Sequence, residues 1–205
     1  MSEEMGADTA QAAAEAPADA ASLPLAVLRD VALLLAALSL WAAADAWMLL
    51  SGTGFAWLLS VADGLLVGVL TAGLFHEWGH FAGARLSGGT APLTPVTLPL
   101  PLFNFDFARS ETRHFQAMGV GGNLAHWMVV LLIAIFLPPE TAGRVALLAG
   151  ALGFAVFASA VEFPVISRCH GGAAPIASLA GIRPADLKRN GVLGAVAALL
   201  LFSIL

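Results

Sequence analysis

Long apolar stretches recur along the chain and are separated by short polar segments. Four of them reach the ~20 residues that a helix needs to cross the hydrocarbon core of a bilayer. The pattern predicts spanning helices over residues 25–50, 61–85, 118–137, 145–166 and, in a shorter stretch, 192–205. Between the second and third helices, apolar and polar residues alternate from 91 to 107 with the two-residue period of a strand. The sequence therefore predicts an all-α polytopic membrane protein with one short, edge-strand-like loop.

The composition supports a location within the bilayer. Of the 205 residues, 59% are hydrophobic and only 11% are charged, which excludes an ordinary soluble domain. The net charge of −5 comes largely from residues 1–22, which are rich in alanine and contain no lysine or arginine. Because this segment lacks the basic n-region of a secretion signal, we expect a disordered acidic tail. The single cysteine, Cys169, excludes an intramolecular disulfide and a cysteine-based zinc cluster.

The basic residues predict the orientation of the helices. Eight of the nine fall on one side of the predicted spans, and only Arg144 falls on the other. The eight are Arg29, Arg85, Arg109, Arg113, Arg168, Arg183, Lys188 and Arg189. Because lysine and arginine favour the cytoplasmic side of a membrane protein, we expect the amino terminus to be cytoplasmic.

The second predicted helix contains the sequence His76-Glu77-Trp78-Gly79-His80, which is typical of zinc enzymes. Histidines four residues apart project from one face of a helix, where both imidazoles can bind one zinc ion. The glutamate between them can act on a water molecule as a general base. A charged side chain near the bilayer centre costs ~3 kcal/mol on insertion scales, whereas structural zinc sites in peptides bind with ~10 to 16 kcal/mol. We therefore predict a zinc site in preference to a structural histidine pair.

The motifs resemble those of the site-2 protease family of intramembrane zinc metalloproteases. Members carry a His-Glu-x-x-His helix, then a helix that begins with Gly-x-x-x-Asn, and then a helix that ends in Asn-x-x-Pro-x-Pro-x-Leu-Asp-Gly-Gly. The aspartate of the last motif is the third zinc ligand in the family. In this chain His76, Glu77 and His80 match the first motif, and Gly119 and Asn123 match the second.

The third family motif is altered. Cys-His-Gly-Gly at residues 169–172 stands where Leu-Asp-Gly-Gly is expected, so His170 takes the place of the ligand aspartate. Three imidazoles form a known catalytic zinc site, but His170 can join it only if the chain unwinds after Pro164. Glu162 is the alternative, since on a continuous helix it lies near the depth of His80 and would complete an established ligand set. From the family spacing we expect His170, with Glu162 as the alternative; a third possibility is that both are interfacial polar residues.

The resemblance implies roles for further residues. Glu77 would take a proton from the attacking water and pass it to the leaving amine, as a general base and then acid. Asn123 would donate a hydrogen bond to the substrate backbone or to the developing oxyanion; otherwise it is a helix cap or a packing position. From its position three residues after Asn123, His126 could approach the site, but we expect a core histidine bonded to a backbone carbonyl. The loop at 91–107 would bind unwound substrate by strand addition, or would lie on the membrane surface.

The resemblance also implies a domain organisation and partners. We expect the cytoplasmic tail at 1–22, an accessory transmembrane helix at 23–54, a metalloprotease-like core at 55–182 and a C-terminal transmembrane helix at 183–205. The expected partners are the lipid bilayer and a membrane-protein substrate that is cleaved near the cytoplasmic face, with no nucleic acid. A bacterial inner membrane is the expected location. The altered third motif leaves an alternative, a non-proteolytic pseudoprotease that binds membrane partners or serves as an accessory subunit.

Overall fold

The computed structural model describes residues 22–95 and 101–205 of the chain. This part folds into six helices, α1 (Leu23–Ser51), α2 (Gly54–Leu86), α3 (Thr112–Phe136), α4 (Ala142–His170), α5 (Pro175–Ala180) and α6 (Pro184–Ile204). All except the six-residue α5 are long and apolar enough to cross a membrane. The prediction of an all-α polytopic membrane protein with about five spanning helices is confirmed. The expected acidic tail, apart from Ser22, lies outside the described residues.

The helices extend beyond the apolar stretches that predicted them, because polar caps begin them. The hydroxyl of Thr53 accepts a hydrogen bond from the backbone N–H of Ala56 (3.4 Å) at the start of α2. The hydroxyl of Thr141 accepts one from the N–H of Arg144 (3.1 Å) at the start of α4. Such caps satisfy N–H groups that the first helical turn leaves free. A hydropathy pattern detects only the apolar part of a helix, so the polar first turns of α3 and α6 were not predicted.

Helix α2 packs against both α3 and α4, and glycines allow the close approach. Gly79 of α2 and Gly121 of α3 face each other, and a Cβ on either would strike the carbonyl oxygen of the other. A Cβ on Gly68 of α2 would likewise strike the carbonyl oxygen of Leu147 in α4. Small residues at a membrane helix interface permit this close backbone contact. In lipid there is no hydrophobic force between helices, so van der Waals packing at such contacts drives their association. The helix with the histidine motif is thereby held between α3 and α4.

Two buried carboxylates attach α1 to the core. Asp45 is 5% exposed and accepts hydrogen bonds from the hydroxyls of Ser60 in α2 (2.7 Å) and Thr141 before α4 (2.9 Å). Toward the other end of α1, Asp30 accepts a hydrogen bond from the indole of Trp78 (2.9 Å). Such partners are what make a carboxylate tolerable inside a membrane protein. Because Trp78 belongs to the histidine motif, one of these attachments also positions that motif.

Helix α4 continues through Pro164 to His170 without unwinding. A proline has no N–H, so the carbonyl oxygen four residues earlier, that of Ala160, loses its helical donor. The side-chain amide of Asn190 in α6 donates to this oxygen at 3.1 Å, and Asn190 is only 3% exposed. A neighbouring helix thus supplies the hydrogen bond that the proline removes, which is how proline is tolerated within a membrane helix.

We predict that Asn190→Ala destabilises the fold by ~0.5 to 1.5 kcal/mol, because the half-buried carbonyl of Ala160 then loses its hydrogen-bond donor. The loss should shrink in the background of Pro164→Ala, since alanine restores an N–H at position 164. Unfolding of the four proteins of this double-mutant cycle in SDS-containing mixed micelles measures the coupling between the two positions. Equal losses of stability in both backgrounds would contradict this explanation of the continuous helix.

The predicted strand-like loop is described in part, since residues 96–100 lie outside the described residues. The flanking residues, 90–95 and 101–106, form a short antiparallel hairpin with a bridge between Leu93 and Phe103. Its amide-to-carbonyl hydrogen bonds run from Thr94 to Leu102 (3.0 Å), from Asn104 to Pro92 (2.9 Å) and from Asp106 to Thr90 (2.9 Å). Leu102 and Phe103 are buried in an apolar cluster with Ala26 of α1 and Ala84 of α2. This part of the loop therefore packs on the core rather than lying on the membrane surface.

Candidate metal centre

Three side chains from two helices meet inside the helical bundle. His76 and His80 project from one face of α2, and Glu162 projects from α4. Nε2 of His80 lies 3.0 Å from Nε2 of His76 and 2.9 Å from Oε1 of Glu162, and Nε2 of His76 lies 3.1 Å from the same oxygen. The exposed fractions of the three side chains are 9%, 12% and 21%, respectively. We call these three residues the metal triad.

A hydrogen bond behind His80 determines which ring nitrogen presents a lone pair to the triad. Nδ1 of His80 lies 2.8 Å from the backbone carbonyl oxygen of Met118. A carbonyl oxygen can only accept, so Nδ1 carries the hydrogen of the neutral imidazole, and Nε2 has a free lone pair. Metal-binding histidines are commonly oriented by such a bond from the second nitrogen to a backbone carbonyl.

A longer chain of hydrogen bonds orients His76 in the same way. The side-chain NH₂ group of Asn123 donates one hydrogen to Oε2 of Glu162 (2.7 Å) and the other to the backbone carbonyl of Gly119 (3.0 Å). The side-chain oxygen of Asn123 accepts the hydroxyl hydrogen of Ser159 (2.9 Å). Because this hydroxyl has no second hydrogen, it must accept from Nε2 of His126 (3.1 Å). Nδ1 of His126 then accepts from Nδ1 of His76 (3.0 Å), which leaves a lone pair on Nε2 of His76.

When both imidazoles are neutral, as metal ligands must be, the metal triad directs two nitrogen lone pairs and a carboxylate oxygen toward one point. Two imidazole lone pairs and a carboxylate oxygen at 2.9 to 3.1 Å repel one another unless a cation lies among them. Zinc bonds of ~2.0 to 2.2 Å at tetrahedral angles separate ligand atoms by ~3.3 to 3.5 Å, so the triad would fit zinc after an outward shift of ~0.3 Å. Two histidines and a glutamate are one of the ligand sets of catalytic zinc sites, which keep a fourth position for water or substrate.

Gly122 of α3 makes room for the imidazole of His80. A Cβ at position 122 would lie 2.5 Å from Nδ1 of His80 and closer still to Cε1. Any side chain at this position must displace the ring or push α3 away from α2. The glycine-rich start of α3 therefore serves the metal triad as well as the packing of the helices.

The structure brings Glu162, and not His170, to the two histidines. His170 is exposed and is the last residue of α4, eight residues and ~12 Å of helix rise beyond Glu162. Its expected role required the chain to unwind after Pro164, and the helix does not unwind because Asn190 bonds the freed carbonyl. The alternative ligand, Glu162, is the one that the geometry favours.

Asn123 and His126 lie behind the metal triad rather than facing a substrate. Both hydrogens of the Asn123 amide are used by Glu162 and Gly119, so this side chain positions the carboxylate and has no hydrogen left for an oxyanion. His126 is fully buried and bonds His76 and Ser159, so the expected bond to a backbone carbonyl was wrong. Ser159 was missed altogether, because a serine in an apolar helix has no signal of its own in the sequence. The spacing of His126 three residues after Asn123, which places both on one face of α3, was the available signal.

Glu77 faces the hairpin. The backbone N–H of Leu102 points to Oε2 of Glu77 at 3.4 Å, so the hairpin lies beside the carboxylate between the two histidines. A cavity of about 210 Å³ adjoins the centre, and His80 and Glu162 share its lining with apolar side chains such as Val165 and Ile166. This cavity is large enough for water and for an apolar side chain next to the triad.

Comparisons with known proteins bear on the family of the chain. No protein-family model matches it, and neither does any curated protein or solved structure. The resemblance to the site-2 protease family therefore rests on the residues of its first two motifs, His76, Glu77, His80, Gly119 and Asn123, and stays a hypothesis.

Proposed function

We propose that the protein is an intramembrane zinc metalloprotease that hydrolyses a peptide bond in a transmembrane or membrane-proximal segment of another protein. The observation that carries this proposal is the convergence of two imidazole nitrogens and a carboxylate oxygen, from His76, His80 and Glu162, within a bundle of helices long and apolar enough to span a membrane. Ionisable side chains within membrane helices are costly to bury, and binding a metal ion is a function that would account for these three being held together.

The side chains of the centre have distinct tasks in this proposal. His76, His80 and Glu162 would hold the zinc ion, which when bound supplies a Lewis acid that polarises a peptide carbonyl and favours hydroxide formation near neutral pH. Glu77 takes the proton of the attacking water and delivers it to the leaving amine. Asn123 and His126 keep the ligand side chains in place through their hydrogen bonds.

The hairpin suggests how a substrate is held. A helix hides its carbonyl groups, so a substrate segment must be extended before it is cleaved. The hairpin contributes extended backbone next to Glu77, to which an extended segment can add by main-chain hydrogen bonds. The distribution of the basic residues favours a position of the hairpin and the triad toward the cytoplasmic face. The compact chain and the family resemblance favour a bacterial inner membrane.

The proposal is tested by replacing Glu77 with glutamine, which keeps the size of the side chain but cannot take a proton. Zinc-loaded native protein in lipid vesicles should cleave members of a library of extended and single-span peptides, and Glu77→Gln should lower the rate by ~10²- to 10⁴-fold with zinc retained. Glu140→Gln, a change at a 68% exposed carboxylate outside the centre, should leave the rate unchanged. Native protein that holds one zinc and leaves every peptide intact would instead support the pseudoprotease alternative.

A further inference from the structure

A second cavity, of about 270 Å³, opens between the end of α4 and the start of α6. Arg168, Arg183 and Arg189 line it, together with a single carboxylate, that of Asp186. The deeper lining contains apolar side chains, among them those of Val161 and Pro164. The cavity is separate from the metal triad, and none of the roles proposed above uses its arginines.

The charges in this cavity are not balanced. Asp186 accepts hydrogen bonds from Nε and Nη2 of Arg183 (2.9 and 3.1 Å), and Nη2 of Arg189 lies 3.4 Å from it. Arg168 donates from Nη2 to the backbone carbonyl of Ser178 (2.7 Å), which neutralises no charge. Three cations thus face one anion. Each guanidinium has five N–H donors, and the side chains of Arg183 and Arg189 are 74% and 66% exposed, so donors remain for a further acceptor.

The shape of the cavity indicates an amphipathic ligand. Along α4 the lining runs from Arg168 back to Ala160, which is ~12 Å of helix rise toward the middle of the membrane. The arginines therefore lie at one end of the cavity, and apolar side chains such as Val161 and Pro164 form part of its wall toward the other end. A free phosphate ion would use only the arginine end, whereas a phospholipid would place its phosphate among the arginines and its glycerol end against the apolar wall.

We propose that this cavity binds the phosphate headgroup of an anionic phospholipid. Guanidinium groups pair with phosphate oxygens through two parallel hydrogen bonds, and basic pockets between membrane helices suit anionic headgroups. The ligand would contact α4 at the level of the proline and α6 near Asn190, and so would stabilise the packing of the two helices. Val161 and Ile182 line both this cavity and the one beside the metal triad, so a bound lipid would also support the wall of the metal centre.

The test compares binding of phosphatidylglycerol with binding of phosphatidylcholine by native mass spectrometry of the full chain released from a neutral detergent. The native protein should retain one phosphatidylglycerol, and R183Q/R189Q should bind it about 25-fold more weakly, since each arginine is expected to contribute ~5-fold. R109Q/R113Q is the matched control, because these arginines are 79% and 71% exposed and lie beside carboxylates outside the cavity. The control should bind phosphatidylglycerol like the native protein.

Three results would overturn the proposal. Equal weakening of lipid binding in the control variant would indicate a general attraction to the basic surface, and equal retention of phosphatidylcholine would indicate no preference for an anionic lipid. Retention of inorganic phosphate to the same extent as lipid would assign the cavity to a free ion. Should R183Q/R189Q fail to fold, R183K/R189K keeps the charges but loses the paired donors. Its binding should then fall between that of the native protein and background. The test needs no zinc and no peptide, so its outcome is independent of the proposed protease activity.

Discussion

Glu162→Ala is expected to release zinc from the protein, whereas His170→Ala is expected to retain it. Glu162 offers the only carboxylate oxygen of the metal triad, 2.9 Å from His80 and 3.1 Å from His76. If the three ligands share the ~10 to 16 kcal/mol of a tight zinc site, the loss of one weakens binding by ~3 to 5 kcal/mol, or ~10²- to 10⁴-fold. Competition with a chromophoric zinc chelator measures this change directly.

The pair of variants also separates two models of the site. The family spacing points to His170, and the geometry points to Glu162, so one of the two substitutions must leave zinc binding intact. Both variants remove one side chain near the end of α4 and preserve the helix, which makes each the control for the other. Zinc lost from His170→Ala and kept by Glu162→Ala would mean that α4 unwinds after Pro164 and that the geometry of the triad described above is wrong.

Gly122→Ala is expected to have an effect of similar size without removing any ligand. The new Cβ would lie 2.5 Å or less from the His80 ring, so either the imidazole is displaced or α3 moves away from α2. Because Met118 belongs to α3, either change disturbs the bond from His80 to its carbonyl and with it the orientation of the ring toward the triad. Zinc affinity should fall by the ~10²- to 10⁴-fold expected for the loss of one ligand. The helix itself should not suffer, since alanine is the better helix former of the two residues.

The control for this prediction is Gly191→Ala in α6, where a Cβ would meet nothing within 4 Å. Chelator competition and thermal unfolding of both variants separate a local effect on the site from a general loss of folding. Native zinc affinity in Gly122→Ala would show that His80 does not occupy the position described here.

The spanning helices could be predicted from the sequence because long apolar stretches have few alternatives in a bilayer. The polar first turns of α3 and α6 could not, since their caps are local hydrogen bonds that hydropathy does not detect, from the backbone N–H groups of Glu111 and Arg183 to the side chains of His114 and Asp186. The two-residue period predicted an extended edge segment, but neither the antiparallel pairing of residues 90–95 with 101–106 nor the burial against Ala26 and Ala84 is encoded by the period, because both are tertiary contacts.

The candidate site could also be predicted only in part from the sequence. The two histidines could be predicted because their spacing alone places them on one face of a helix. The choice between Glu162 and His170 depended on whether the chain unwinds at Pro164. Asn190, on a later helix, donates a hydrogen bond to the carbonyl that the proline leaves free, and a sequence pattern does not reveal this contact. The bond from His76 to His126 joins residues 50 positions apart, so a single sequence gives no sign of it.

The claim on which the account depends is that His76, His80 and Glu162 bind one divalent metal ion. Zinc X-ray absorption spectroscopy of the purified protein, loaded with one equivalent of zinc, tests it most directly. We expect two imidazole nitrogens and at least one oxygen at ~2.0 to 2.2 Å, with no sulfur at ~2.3 Å, and loss of the imidazole signal in His76→Ala/His80→Ala. Three imidazoles, a sulfur ligand, or a protein that retains no zinc would contradict the proposed centre.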